Sequence, residues 1–168
     1  DDQQSSIKWS KRRLQDSITT IALKDNLKEE LQQLKQNNKY IVLDVAGRDS
    51  AEFRSALLTA DVLIIPTQPS QTDIEVLPFV LRLVNTAKQV NKNLKTFVVL
   101  NKAPTNNKST EIDAALELLQ QVKSVKTLNT ILRVRKQFRD AMFEGKSVLE
   151  MGSSKAKDEL NGFLVEIL

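Results

Sequence analysis

Three short apolar runs constrain this chain more than anything else in it. They read YIVLD at residues 40–44, VLIIP at 62–66 and TFVVLN at 96–101. None alternates polar with apolar residues, so each is expected to be covered on both faces. That is the mark of a parallel sheet packed between helices. Two further runs rich in β-branched residues, 17–22 and 127–132, extend the set of strand candidates. Helical patterns lie at 7–15, 27–37, 50–59, 73–91, 110–123, 135–144 and 155–168. Asp49-Ser50 and Ser109-Thr110 carry N-cap chemistry. Strands and helices alternate, and right-handed crossovers make such an order a mostly parallel, doubly wound α/β sheet flanked by helices.

Length and composition narrow the chemistry. At 168 residues the chain is expected to be one domain with a real core. It has neither Cys nor His. That removes disulfides, thiolate nucleophiles, Ser-His-Asp triads and most zinc sites. No apolar run approaches membrane-spanning length, so no membrane partner is expected. The net charge of +4 is mild and permits contact with nucleic acid without demanding it. Basic residues do cluster, at Lys8, Lys11, Arg12 and Arg13 and again at Arg133, Arg135, Lys136 and Arg139. Each cluster taken alone reads equally as a solvated helix face. The first residue is not Met, and the chain is expected to be an excised or processed piece of a longer product.

Candidate site residues gather at strand ends, where open α/β sheets bind ligands. Asp44 closes the YIVLD run. A carboxylate there can hold Mg²⁺ directly or through its water shell, or can simply cap the next helix or turn. Gly47 follows in a small-residue turn. It would let backbone approach a phosphate closely, or merely make the turn. Asn101-Lys102 ends TFVVLN. A side-chain amide offers a donor and an acceptor to a purine edge, or satisfies its own loop. The polar loop 104–109 lies at the same end. None of the four glycines, Gly47, Gly145, Gly152 and Gly162, sits in GxxxxGK[ST] spacing. The chain as given has half of a nucleotide site and no phosphate cradle.

These residues resemble the ParA/MinD group of deviant-Walker P-loop ATPases, and within it the short plasmid-partition ParA proteins. The family shows D-x-D-P-Q-x-S-x-x-x-W after its second strand. Here Asp1, Gln3, Ser5 and Trp9 fall on its last Asp and its Gln, Ser and Trp, with Asp2 in place of Pro and Gln4 in place of the usual Gly. YIVLDVAG is similar to the Walker B segment YDFVIIDTPG, with Val45-Ala46 where Thr-Pro is usual. ADVLIIPTQPSQTD is similar to ADLVLIPVQPSPLD. Arg135-Lys136-Gln137-Phe138 and Gly145-Lys146-Ser147-Val148 are similar to the family's R-x-x-[FY] and G-x-[ST]-V. The resemblance runs the length of the chain. A flavodoxin-like or receiver-type domain also ends strands on acids but does not account for these segments together.

The resemblance implies a single ParA-like domain over 1–168, incomplete at its start. The first strand, the K-G-G-x-G-K-T loop, a helix and the second strand would be missing, about 30–40 residues by typical element lengths. It implies ATP or ADP and Mg²⁺ as cofactors, hydrolysis by the intact protein and inactivity of this chain alone. Asp1 would be the switch I acid and Asp44 the Walker B acid, both near the metal. Gly47, Asn101 and Arg133 would lie around the nucleotide. Arg133, Arg135, Lys136 and Arg139 would contact DNA without sequence preference. It further implies an ATP-dependent homodimer, a centromere-binding partner protein, and a cytoplasmic, nucleoid-associated location. The competing expectation is a non-catalytic ParA-like module acting through protein or DNA contacts.

Overall fold

A computed structural model describes residues 4–14, 16–23, 27–46, 49–106, 110–122 and 125–168. Among these, three parallel strands form one sheet in the order β1 (Val62–Thr67), β2 (Lys95–Ala103), β3 (Lys126–Arg133). The helices are α1 (Ser5–Arg12), α2 (Lys28–Asn37), α3 (Ala51–Thr59), α4 (Gln71–Val90), α5 (Thr110–Gln120), α6 (Lys136–Glu144) and α7 (Lys155–Ile167), with a 3₁₀ turn at Val148–Glu150. The chain is therefore α/β, as its apolar runs predict.

The central strand explains the arrangement. Residues Thr96 to Leu100 of β2 are buried without a break. Val98 and Leu100 face Leu77 and Leu81 of α4 and Ile112, Ala115 and Leu119 of α5. Phe97 and Val99 face the other way, toward Leu128 of β3 and Phe163 and Ile167 of α7. A strand covered on both sides can afford no polar face, hence TFVVL. Helix boundaries follow cap chemistry. Ser50 accepts the Phe53 N–H ahead of α3, and Ser70 and Ser154 do the same for α4 and α7. The predicted cap at Ser109 lies outside the described residues.

Two predicted strands are absent. Residues 17–22 and 40–44 form no ladder. The second is informative, because its burial alternates. Ile41, Leu43 and Val45 pack beside Leu27 and Leu31 on the α2 side and Ala56 of α3. Tyr40 and Val42 face away and are 74 % and 92 % exposed. A period of two is that of extended chain, but a strand also needs a neighbour to pair its backbone. No described segment pairs with this one. The expectation that YIVLD is covered on both faces is thus corrected: it is covered on one. Among the described residues β1 is an edge as well, pairing with β2 alone, and its Pro66 suits an edge because it has no N–H to donate.

The opposite edge is closed. Glu166 of α7 accepts the Asn129 and Thr130 backbone N–H groups at 2.8 and 2.7 Å, and the Asn129 amide and Thr130 hydroxyl at 3.2 and 2.6 Å. Two helical turns earlier, Glu159 accepts the Arg133 N–H at 3.1 Å. Gly162 lets α7 lie this close, since a Cβ there would meet the Thr130 hydroxyl at 3.0 Å. Burial works against the charge on Glu166, but its donors prevail and its pKa lies below the ordinary value. Replacing Glu166 by Ala is expected to cost about 1–3 kcal/mol, because edge donors lose their acceptor. It is also expected to expose a strand edge that invites self-association. Thermal unfolding and light scattering of Glu166→Ala check both parts.

Candidate functional site

Asp44 is the one predicted metal-site acid among the described residues; Asp1 and Gly47 lie outside them. The Asp44 carboxylate is exposed and does not cap α3. Its Oδ2 accepts a hydrogen bond of 2.6 Å from the hydroxyl of Ser6, near the start of α1. Ser50, not Asp44, caps the next helix, and Asp49 is taken up by Arg54 through contacts of 2.6 and 2.7 Å. The helix-cap alternative for Asp44 is therefore not what the fold uses. No group of three or more His, Cys, Asp or Glu side chains among the described residues gathers around a metal position. A single carboxylate beside a hydroxyl still fits Mg²⁺. That ion keeps several waters and is held by one or two carboxylates together with phosphate oxygens rather than by an all-protein cage.

At the end of β2, the Asn101 side-chain oxygen accepts the N–H of Lys102 at 2.9 Å. Lys102 has φ of 53°, left-handed backbone that costs a non-glycine residue about 1–2 kcal/mol. The ladder to β3 is irregular across this point, shifting register between Leu100 and Ala103. The Asn101 amide thus does what a loop-satisfying Asn does with its oxygen, and its NH₂ remains for other acceptors. Strained backbone at a strand end is where open α/β sheets place ligand contacts.

The basic residues divide into two kinds. Arg135 forms a forked pair with Glu159 at 2.9 and 2.6 Å, and Arg133 lies 3.8 Å from the same carboxylate. Both are largely covered, and the Arg133 Nε is buried with no partner. Arg13 is spent in the same way on Glu150, at 3.0 and 2.7 Å. That pairing, reinforced by the Ser147 N–H, holds Glu150 far below the usual carboxylate value, at about 2. Lys136 and Arg139 instead stand on the exposed face of α6. Lys136 makes an (i, i+4) pair with Asp140, and Arg139 has no ion pair among the described residues. Lys8, Lys11 and Arg12 line the exposed face of α1. The two helices touch at their carboxyl ends, where Arg12 donates to the Met142 carbonyl of α6 at 3.3 Å.

Several residues that organise the site escape sequence reading. Ser6 carries no local signal, because its partner is 38 residues away. Glu159 and Glu166 look like ordinary helix-surface acids. Ser147 and Glu150 were legible in principle, as the S-x-x-E of a capping box, which they form.

Comparison with known proteins identifies the family. A family model described as AAA domain matches residues 5–98, a span holding Asp44, Ser6 and β1. The chain is 27 % identical over 143 residues to the Maintenance of carboxysome distribution protein A of Halothiobacillus neapolitanus, covering 83 % of this chain and 65 % of that protein. It is 24 % identical over 135 residues to the Sporulation initiation inhibitor protein Soj of Bacillus subtilis, covering 79 % and 52 % respectively. It is 25 % identical over 141 residues to a ParA family protein of Mycoplasma genitalium, covering 83 % and 52 %. The chain thus spans between about half and two thirds of the length of these relatives. The matched domain is a nucleotide-binding one, and the chain belongs to the ParA/MinD-type family of P-loop ATPases.

Proposed function

We propose that these residues are the larger part of a partition-type ATPase. In this reading the intact protein binds and hydrolyses ATP with Mg²⁺, dimerises on ATP, and holds DNA without reading its sequence. The observation that carries the proposal is the Asp44 carboxylate. It stands exposed at the end of a segment covered on one face only, and a hydroxyl from a separate helix holds it in place. Val42 and Tyr40 lie bare beside it, and β1 has a free edge. We propose that residues outside these 168 supply a strand and phosphate cradle that cover this face.

Within that site, Mg²⁺ supplies charge neutralisation at the phosphates. Asp44 would hold it or one of its waters through the oxygen that Ser6 leaves free. Asp1 would orient the attacking water. The Asn101 NH₂ would serve the base, and Arg133 would flank it. What the intact protein moves or positions is a further proposal. One relative is named for carboxysome distribution and another for inhibiting sporulation, so the cargo here need not be a plasmid. A cargo-bound partner protein that stimulates hydrolysis belongs to the same reading. The alternative reading is a non-catalytic ParA-like module that acts through protein or DNA contacts.

The DNA contact is assigned to cations on exposed helix faces, outside the Glu159 and Glu150 pairs. Lys136 and Arg139 of α6 lead, with Lys8 and Lys11 of α1 beside them. Changing Lys136 and Arg139 together to Ala is expected to lower affinity for any DNA sequence. It should also reduce the slope of log affinity against log salt by about 1–2. Arg135→Ala is expected to act differently. It removes the two charge-assisted hydrogen bonds to Glu159 and should cost about 1.5–3 kcal/mol of stability. Salt titrations of the full-length gene product with unrelated duplexes, run beside thermal melts, separate the two. An unchanged slope in the Lys136/Arg139 variant would move the DNA surface elsewhere.

A further inference from the structure

Trp9 is the single tryptophan of the chain, and it sits in a contact that the scheme above does not use. Its indole N–H donates to the Lys146 carbonyl at 3.1 Å. The Arg13 guanidinium lies over its ring, 5.0 Å from the centroid. Arg13 also donates to the Gly145 carbonyl at 3.1 Å and grips Glu150 with both Nη atoms. Arg12 donates to the Met142 carbonyl. Three of these acceptors, Met142, Gly145 and Lys146, are carbonyls of the last turn of α6 and the chain just beyond it. Such groups have no partner within their own helix. The carboxyl end of α1 therefore caps the carboxyl end of α6.

The other end of the same helix carries Ser6 on Asp44. α1 has eight residues, too few to hold a helix in isolation, and none of them is buried. Its N-terminus has no side-chain cap. Its position is therefore set largely by the anchors at its two ends. We propose that α1 is a positioning helix for Asp44: Ser6 orients the carboxylate, and the Trp9–Arg13–Glu150 clamp on α6 holds Ser6 in place. With Oδ2 engaged by the hydroxyl, Oδ1 is left to face a cation or its water. The inference rests on the ATPase reading, and it makes Ser6, Arg13 and Glu150 positioning residues that touch no substrate.

The test uses the full-length gene product and two readouts. The first is the Mg²⁺ dependence of ATP turnover. The second is Mn²⁺ affinity with ADP bound, followed by electron paramagnetic resonance, which needs no turnover. Ser6→Ala is expected to weaken cation affinity about ten-fold in both, the scale of one hydrogen bond to a carboxylate. It should leave Trp9 emission unchanged, because the clamp stays shut. Ser6→Thr, which keeps the hydroxyl, should restore affinity. Arg13→Ala should weaken cation affinity by a similar factor and shift Trp9 emission to the red. Glu150→Gln serves in its place if Arg13→Ala fails to fold. The proposal is overturned if Ser6→Ala matches wild type in both readouts. It is equally overturned if the clamp variants shift Trp9 emission with no change in cation affinity. A wild-type protein that neither turns over ATP nor binds Mn²⁺ with nucleotide would sink the ATPase reading and this inference with it. Wild-type turnover with an indifferent Ser6→Ala sinks this inference alone.

Discussion

Replacing Gly145 by alanine is expected to lower stability by about 3 kcal/mol and the melting temperature by about 6–12 °C. Two physical effects add at this position. Gly145 ends α6 in left-handed backbone, with φ of 66°, which costs an L-residue about 1–2 kcal/mol. A Cβ there would also lie 2.6 Å from the Arg12 carbonyl carbon, 2.7 Å from the Arg13 nitrogen and 2.8 Å from the Arg12 Cβ. Two of those neighbours are backbone, so relief requires the end of α1 to move. Trp9 emission should shift to the red as the clamp opens. Gly145→Asn separates the two effects. Asn tolerates left-handed backbone but still carries a Cβ, so it should remain well below wild type. Full stability in that variant would show that the close approach of α1 is not the constraint.

The second large effect is catalytic. In the full-length gene product Asp44→Ala is expected to cut Mg²⁺-dependent ATP turnover about 100-fold or more, which corresponds to ~2.7 kcal/mol in the barrier. Phosphoryl transfer leaves the protein little to do but position groups and neutralise charge. In the proposed site, losing the exposed carboxylate at the end of residues 40–44 would remove a ligand for the ion or its water. The melting temperature should change little, since among the described residues the side-chain hydrogen bond lost is the exposed one to Ser6. Turnover at the wild-type rate would remove Asp44 from the site.

How much of this was legible in the sequence depends on what each residue answers to. TFVVLN declared its strand because β2 meets helices on both faces, and burial on both faces needs an unbroken apolar run. YIVLD carries the same pattern and yet forms no ladder. Its strand character depends on a pairing neighbour, which no local pattern encodes. The caps Ser50 and Ser70 were within reach because each bonds a backbone N–H three residues on. Arg133 and Arg135 show the opposite case. Whether an arginine faces solvent or a carboxylate depends on α7, about 25 residues away, and Glu159 claims both. Gly145 was read as one letter of a G-x-[ST]-V match. That it is the seat of α1 emerges only once the two ends of the chain are in contact. The family itself was legible from segments of four to fourteen residues, although overall identity to the relatives is only 24–27 %.

In the proposed function Asp44 belongs to an ATPase site completed by residues outside these 168. ATP hydrolysis by the full-length gene product, followed as Mg²⁺ is titrated, tests it most directly. The account predicts turnover that saturates in both ATP and Mg²⁺ and disappears when the ion is chelated. A well-folded full-length protein that neither hydrolyses nor binds ATP at any Mg²⁺ concentration would contradict it, leaving the non-catalytic module as the reading that stands.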